Sequence, residues 1–124
     1  GNIQQNKCSQ CQKPGPESKS AQPPGCGHCG EALRPNVVWF GEPIPRVALE
    51  AAADAVENCD VFFSVGTSSL VYPAAALAET ALSHQAIIVE INLNPTPLSS
   101  RADFALQGPA GQWLPAITDL VRAV

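Results

Sequence analysis

The sequence has no apolar run long enough to cross a membrane and no excess of basic residues. No stretch of its 124 residues approaches the roughly 18 consecutive apolar residues that a membrane helix needs, and its polar first residues lack the apolar segment of a signal peptide. Charged residues make up only 15% of the chain, and the net charge of −4 disfavours a protein that binds nucleic-acid phosphates. We expect a soluble, cytoplasmic protein that binds neither membranes nor nucleic acids.

The first 35 residues differ in composition from the rest of the chain. Residues 1–35 contain four of the five cysteines and only two large aliphatic residues, Ile3 and Leu33, so they cannot build a hydrophobic core. They carry a net charge of +2, whereas residues 36–124 carry −6. In a chain of 124 residues, any second module must be small or held together by a metal. We therefore predict a zinc-binding small module over residues 1–35 and an α/β domain over residues 36–124.

The four cysteines of the small module form two Cys-x-x-Cys pairs. Cys8 and Cys11 are followed, after fourteen residues, by Cys26 and Cys29. This is the spacing of a tetrathiolate zinc site, in which each short turn presents two sulfurs to one ion. Four cysteine ligands leave no coordination position for water or substrate, so we predict a structural zinc ion rather than a catalytic one.

Other interpretations of the cysteines remain open at this point. Two disulfides would suit a secreted protein, and an iron–thiolate centre would suit an electron carrier. His28 lies inside the second Cys-x-x-Cys pair and is either an exposed turn residue or a replacement for one sulfur. Cys59 lies outside the cluster and is most simply a small buried apolar residue.

The rest of the sequence alternates alanine-rich helical segments with short runs of β-branched and aromatic residues. This alternation is typical of α/β units with a parallel sheet. The predicted helices cover about 47–57, 73–83 and 112–124, and the predicted strands cover 60–65, 86–91 and 103–106.

Small and amide side chains follow each predicted strand. Gly66-Thr67-Ser68, Asn92-Leu93-Asn94 and Gly108-Pro109-Ala110 come at the carboxyl ends of the strands, where open parallel sheets bind ligands. A nucleotide crevice is one interpretation, and ordinary turns and caps are the other. There is no Gly-x-Gly-x-x-Gly motif, so these turns alone do not predict a dinucleotide site.

Trp39 and Phe40 stand next to a glycine-bearing turn between the two parts of the chain. They are either core anchors of the small module or an extended edge that pairs with a peptide strand. From the residues alone, the core interpretation is favoured.

Taken together, these segments resemble the sirtuin family of NAD-dependent protein deacylases in order and spacing from end to end. The form of the Phe-Gly-Glu segment is similar to the bacterial and mitochondrial deacylase branch of that family. The resemblance is carried by the four cysteines, Leu33-Arg34-Pro35-Asn36-Val37-Val38-Trp39-Phe40-Gly41-Glu42, Val65-Gly66-Thr67-Ser68-Ser69, Pro73-Ala74-Ala75, Glu90-Ile91-Asn92 and Gly108-Pro109-Ala110.

The resemblance implies part of a Rossmann-like parallel sheet, with a small inserted tetra-Cys zinc module and an acyl-lysine peptide bound between the two. The implied ligands are a structural Zn²⁺ ion and NAD⁺ as co-substrate. The implied peptide-binding residues are Val38, Trp39, Phe40, Gly41 and Glu42. The implied NAD-binding residues are Gly66, Thr67, Ser68, Asn92, Leu93, Asn94 and Ala110.

The resemblance also implies a reaction in which the acyl oxygen attacks C1′ of the nicotinamide ribose. Nicotinamide leaves, and the products are free lysine and 2′-O-acyl-ADP-ribose. The family's general base is a histidine in a His-Gly pair, and Gly1 matches the glycine of that pair, so the base is expected immediately before Gly1. No catalytic residue is therefore assigned within the chain, which we expect to be an inactive C-terminal portion of a deacylase. The alternative is a non-enzymatic, zinc-containing module that binds peptides.

Overall fold

The computed structural model of the chain describes residues 1–17 and 24–123. The chain divides into two compact units, Gly1–Ile44 and Pro45–Val124. Residues 18–23 of the predicted small module, and Val124 at the end of the third predicted helix, lie outside the described residues. Within the described part of the chain, no helix combines the length and apolar character that crossing a bilayer requires.

The first unit is built on a small antiparallel sheet that the sequence analysis did not predict. Its strands are β1 (Asn2–Cys8), β2 (Pro14–Gly15) and β3 (Leu33–Asn36), in the order β2-β1-β3. The buried hydrophobic cluster consists of Cys8, Cys26 and Leu33. Strand β1 is exposed and polar over most of its length, so it carries no alternating apolar pattern from which a strand could be recognised.

The second unit contains the predicted parallel sheet and three helices. Its elements in chain order are α1 (Arg46–Glu57), β4 (Val61–Val65), α2 (Ala74–Ser83), β5 (Ile87–Asn92), β6 (Phe104–Gln107) and α3 (Ala110–Arg122). The strands are parallel, in the order β4-β5-β6. The α/β prediction is confirmed, with element boundaries shifted by one or two residues.

Two of these shifts have a visible cause. Strand β6 begins at Phe104 rather than Asp103, because the Asp103 carboxylate accepts a hydrogen bond from the Ile88 N–H at 2.8 Å just outside the ladder. Helix α3 begins at Ala110 rather than Gln112, because Pro109 stands at its N-cap and leaves no N–H to satisfy.

The core of the second unit lies against one face of the parallel sheet. Val56 of α1, Ala78 and Ala81 of α2, Ile88 of β5 and Leu98 of the following turn are all buried together. The opposite face is open at its amino end, where the side chains of Val61, Phe63, Ile87 and Phe104 are 43–56% exposed. Burial on both faces, which is typical of strands in parallel sheets, therefore holds in β5 from Ile88 to Ile91 but not at Ile87.

Candidate functional site

The sulfur atoms of the two Cys-x-x-Cys pairs converge on one point. All four Sγ atoms lie within 4.8 Å of one another, with 3.4 Å between Cys8 and Cys29 and 3.7 Å between Cys11 and Cys26. Sulfurs held about 2.3 Å from a tetrahedral zinc ion are about 3.8 Å apart. The Glu31 N–H lowers the pKa of Cys29, but the contact with Cys8 and the other sulfurs outweighs it and raises that pKa to about 12. A bound cation relieves such crowding of thiolates, so the cluster fits a structural zinc ion.

Backbone N–H groups of both turns point at the buried sulfurs. Gln10 and Cys11 each donate to Cys8 Sγ at 3.4 Å, and His28 donates its backbone N–H to Cys26 Sγ at the same distance. Burial raises the pKa of the Cys8 thiol, but these donors outweigh burial and lower the pKa to about 6. The His28 N–H is the largest cause of the lowered pKa of Cys26. The two turns therefore favour the thiolate form of Cys8 and Cys26, which is the form that binds metal.

Arg34 organises the predicted docking segment, residues 38–42, from within the first unit. Its guanidinium group pairs with both carboxylate oxygens of Glu42 and also donates to the Val37 carbonyl oxygen at 2.8 Å. The guanidinium carbon lies 3.5 Å from the centre of the Trp39 ring, in a cation–π contact. Arg34 thus stabilises the segment through the ion pair with Glu42, the hydrogen bond to the Val37 carbonyl oxygen and stacking on Trp39.

Glu42 closes the same segment from its other end. The Trp39 N–H donates to the Glu42 carboxylate at 2.9 Å, and the Glu42 N–H donates to the Trp39 carbonyl oxygen at 3.1 Å. Gly41 between them has a φ of +85°, a conformation that favours glycine. The Arg34 ion pair, followed by the Trp39 N–H, lowers the pKa of Glu42 to about 2. Glu42 is therefore used within the loop, whereas sequence analysis placed it among the residues that contact a peptide.

The aromatic residues of the docking segment are not core anchors. Phe40 is 93% exposed and Trp39 is 52% exposed. The residues alone favoured a core position for both, and this interpretation is wrong, because the small core of the first unit is already filled by the cysteines and Leu33. The segment instead exposes the apolar side chains of Trp39 and Phe40 at the surface of its own unit.

At the carboxyl edge of the parallel sheet, hydrogen bonds join the three predicted nucleotide-binding turns (residues 66–68, 92–94 and 108–110; the strand-end turns). The Asn92 side-chain amide donates to the Thr67 carbonyl oxygen at 2.7 Å, and its oxygen accepts from the Leu93 N–H at 2.8 Å. Gly66 donates its N–H to Ile91, and Gly108 donates its N–H to Asn92. The three turns therefore form one connected edge.

Two residues that the sequence analysis did not single out complete this edge. Gln107 donates its side-chain amide to the Leu93 carbonyl oxygen at 3.1 Å, and the Trp113 indole N–H donates to the Gln107 carbonyl oxygen at 3.2 Å. At Gly108 the φ is +145°, and an added Cβ would lie 2.9 Å from the Trp113 ring nitrogen. Their sequence signal is weak, because Gln107 falls one residue beyond the predicted strand and Trp113 lies on a helix.

The predicted NAD-binding residues differ in whether they are exposed to a ligand or engaged in hydrogen bonds within the edge. Thr67, Ser68, Leu93 and Asn94 are exposed at the edge, whereas the Asn92 amide is engaged within it. Ala110 is the first residue of α3 rather than part of a turn. The arrangement offers backbone amides and small polar side chains at one sheet edge, which is suited to binding a nucleotide.

Neither histidine is placed for catalysis by its surroundings. His28 is exposed in the second cysteine turn. His84 is exposed at the C-cap of α2, where its Nδ1 atom lies 3.0 Å from the Thr80 carbonyl oxygen. Gly1 lies against the end of β3, since an added Cβ would be 2.3 Å from the Asn36 carbonyl oxygen.

Comparison with known proteins agrees with this geometry. The chain is 41% identical over 132 aligned residues to an NAD-dependent protein deacylase of Mycolicibacterium paratuberculosis, with 100% of this chain and 55% of that protein covered. It therefore spans about half the length of the curated relatives that it matches.

Solved structures show the same fold. A Sir2 homologue in complex with NAD is 38% identical, with a TM-score of 0.90, and the match covers 99% of this chain and 49% of that one. A complex of Sir2 with a p53 peptide and NAD⁺ is 26% identical, with a TM-score of 0.88, and the match covers 100% of this chain and 54% of that one.

The sequence model of the Sir2 family matches residues 1–73, the stretch that contains the zinc cluster, the docking segment and the first strand-end turn. That match spans more than half of the chain, and the expected resemblance is confirmed: the chain belongs to the Sir2 family.

Proposed function

We propose that this chain supplies the zinc module, the peptide-docking segment and part of the NAD site of an NAD-dependent protein-lysine deacylase. The observation that carries the proposal is the joining of the three strand-end turns into one edge by the Asn92 and Gln107 side chains. This edge presents Gly66, Thr67 and Asn94 together, in the position where parallel sheets bind nucleotides. Relatives named as NAD-dependent deacylases, and a homologue solved with NAD, support NAD⁺ as the ligand.

The docking segment is suited to an acyl-lysine peptide. Its backbone can pair with an extended peptide as an added strand, which makes main-chain hydrogen bonds and leaves side chains to set specificity. The exposed Phe40 and the half-exposed Trp39 offer apolar surface to an acyl chain and to the lysine stem. Arg34 and Glu42 hold this surface in place and therefore act by positioning. The Sir2 complex with a p53 peptide supports a peptide substrate.

The zinc ion has a structural role in this proposal. Cys8, Cys11, Cys26 and Cys29 would complete its tetrahedral coordination, and a closed site has no position left for a substrate. Zinc thiolates persist where cysteines are kept reduced, which supports a cytoplasmic location.

The general base of the reaction is proposed to lie outside these residues. The two histidines of the chain are exposed in a cysteine turn and at a helix end. Gly1 is in close contact with Asn36, at the end of β3 and two residues before the docking segment. A histidine immediately before Gly1, as the family resemblance implies, is the proposed base.

The proposal is tested by incubating the purified 124-residue chain with NAD⁺ and an acetyl-lysine peptide and measuring nicotinamide release. Binding of the peptide and binding of ADP-ribose are measured separately by calorimetry. The expected result is binding of the peptide and of ADP-ribose without release of nicotinamide. Turnover by this chain would overturn the placement of the base. Failure to bind either ligand would overturn the proposed function.

A second candidate function is a peptide-binding module without enzymatic activity. It is favoured by one observation, that the Arg34 and Glu42 hydrogen bonds that hold the docking segment lie within Gly1–Ile44. Such a module binds its peptide with the same affinity whether or not NAD⁺ is present. The deacylase proposal instead expects ADP-ribose to bind the strand-end turns, so a peptide-binding chain that ignores ADP-ribose supports the module.

A further inference from the structure

Glu90 is a buried acidic residue that the proposed zinc and peptide sites do not use. It lies in the middle of β5, the central strand of the parallel sheet, and is only 2% exposed. It belongs to none of the ion pairs found among residues 1–17 and 24–123. A carboxyl group buried without a cation is costly unless hydrogen bonds satisfy both of its oxygens.

Two hydroxyl groups of a single turn satisfy this carboxyl group. Thr96 donates through Oγ1 to one oxygen of Glu90, and Ser99 donates through Oγ to the other. Both hydroxyl oxygens also accept from the backbone: the Leu98 N–H donates to Thr96 at 3.1 Å, and the Thr96 N–H donates to Ser99 at 2.8 Å. Each hydroxyl group has one proton, and both protons point to Glu90. The turn therefore requires an acceptor at each of the two terminal side-chain atoms, which glutamate provides and glutamine, with one oxygen and one NH₂ group, does not.

This turn continues directly from the second strand-end turn. Asn92 and Leu93 are fixed at their end by Thr67 and Gln107. At the other end, Leu98 is buried in the core of the unit, and Glu90 holds the hydroxyl groups on either side of it. The exposed Leu93 and Asn94 therefore lie between two fixed points. One is formed by the hydrogen bonds to Thr67 and Gln107, and the other by the contacts of Glu90 with the following turn.

Glu90 is also one of the residues that line a cavity of about 90 Å³. The other polar residues that line this cavity are Asn92, Asn94, Ser99 and Gln107. Glu90 thus borders the same cavity as two residues of the second strand-end turn. A displacement of the turn would change both the cavity and the position of Asn94.

We propose that Glu90 is a positioning residue for nucleotide binding: by accepting from Thr96 and Ser99, it holds Leu93 and Asn94 where the strand-end turns would contact the nucleotide. This inference rests on the proposed function, because it assumes that a nucleotide is bound at this edge. It goes further in assigning a role to a residue that is buried behind the edge and acts through a neighbouring turn.

The test compares Glu90→Gln with Ser99→Ala and with the double variant, in the full 124-residue chain. The matched control is Arg101→Gln, which removes an exposed ion pair with Glu79 just after the same turn and leaves the Glu90 contacts intact. Two quantities are measured, namely the Kd for ADP-ribose and the amide hydrogen exchange of residues 93–99 without ligand. A stability measurement on each variant separates local from global effects.

We expect Glu90→Gln to weaken ADP-ribose binding about tenfold, which corresponds to ~1.4 kcal/mol. Exchange at Thr96 and Leu98 should become faster, while exchange elsewhere in the sheet stays the same. Because Glu90 acts through Ser99, the double variant should bind no more weakly than the weaker single variant. The Arg101→Gln control should stay within twofold of the unchanged chain in both measurements.

Two results would overturn the inference. One is a Glu90→Gln chain that loses stability throughout but keeps its ADP-ribose affinity and its exchange pattern over residues 93–99. The other is additive loss of affinity in the double variant. If the unchanged chain does not bind ADP-ribose, the proposed nucleotide function fails. The hydrogen exchange of the Glu90→Gln variant then tests the anchoring role of Glu90 separately. Faster exchange confined to residues 93–99 supports that role, and unchanged exchange overturns it.

Discussion

Glu42 illustrates why individual roles in the docking segment could not be predicted from the sequence. Its match to the family pattern implies a place in the peptide-binding segment, and the structure adds that its carboxylate is engaged by Arg34 and by the Trp39 N–H. Arg34 lies in β3 and Glu42 lies eight residues later in the loop that follows, so no helical or strand periodicity indicates their contact. The sequence predicted where the segment lies, and the ion pair shows how it is held.

Replacing Glu42 by Gln should weaken binding of an acetyl-lysine peptide about tenfold, because one acceptor of the charge-assisted pair with Arg34 is lost. ADP-ribose affinity should not change. The pKa of Glu42 is lowered to about 2, so its contribution to folding is fully present above its ordinary pKa of 4.5 and is lost as the pH falls towards 2. Calorimetry gives both affinities. Glu50→Gln, in the exposed pair with Arg46, is the control, and an equal effect of both changes would contradict the positioning role.

Gly108 gives a second prediction at the scale of single residues. Gly108→Ala places a Cβ 2.9 Å from the Trp113 ring nitrogen at a φ of +145°, so it should destabilise the chain by about 1–3 kcal/mol. Gly111→Ala is the matched control, since an added Cβ meets nothing within 4 Å and glycine is unfavourable in a helix. Urea unfolding measures both changes. Equal stability of the two variants would show that Trp113 does not pack against this turn.

At the scale of elements, the sequence predicted the second unit well and the first unit poorly. The helices and parallel strands were recognised because alanine-rich and β-branched segments alternate there. Strands β1 and β3 were missed because their residues are mostly polar, and pairs such as Lys7 with Arg34 form no hydrophobic pattern. The Cys-x-x-Cys spacing predicted the cluster, since two rigid turns are sufficient to bring four sulfurs together.

Zinc removal should unfold the first unit, because among its described residues the buried cluster is limited to Cys8, Cys26 and Leu33. Cys26→Ser should lower the zinc content well below one ion per chain and raise hydrogen exchange across β1 and β3. Cys59→Ser, outside the cluster, should keep its zinc. Mass spectrometry under native conditions counts the ion directly. Full zinc content in the Cys26→Ser chain would contradict a tetrathiolate site.

At the scale of the whole molecule, the open face of the parallel sheet is the feature that we expect to promote association. Val61, Phe63, Ile87 and Phe104 expose 43–56% of their surface on one face, and β4 ends the described sheet order. Exposed apolar faces and unpaired strand edges promote association.

The purified chain should therefore associate as its concentration rises, and Phe63→Lys should reduce this association. Val121→Lys, at an exposed position on α3, should not. Sedimentation velocity distinguishes these outcomes. A chain that stays monomeric at every concentration and melts sharply would contradict this prediction.

The central claim, that the chain carries part of a deacylase NAD site, is tested most directly by titrating the ¹⁵N-labelled chain with ADP-ribose. We predict amide shift changes concentrated at residues 66–68, 92–94 and 110, with little change in the first unit. Changes spread over the cysteine turns, or no change at saturating ligand, would contradict the account.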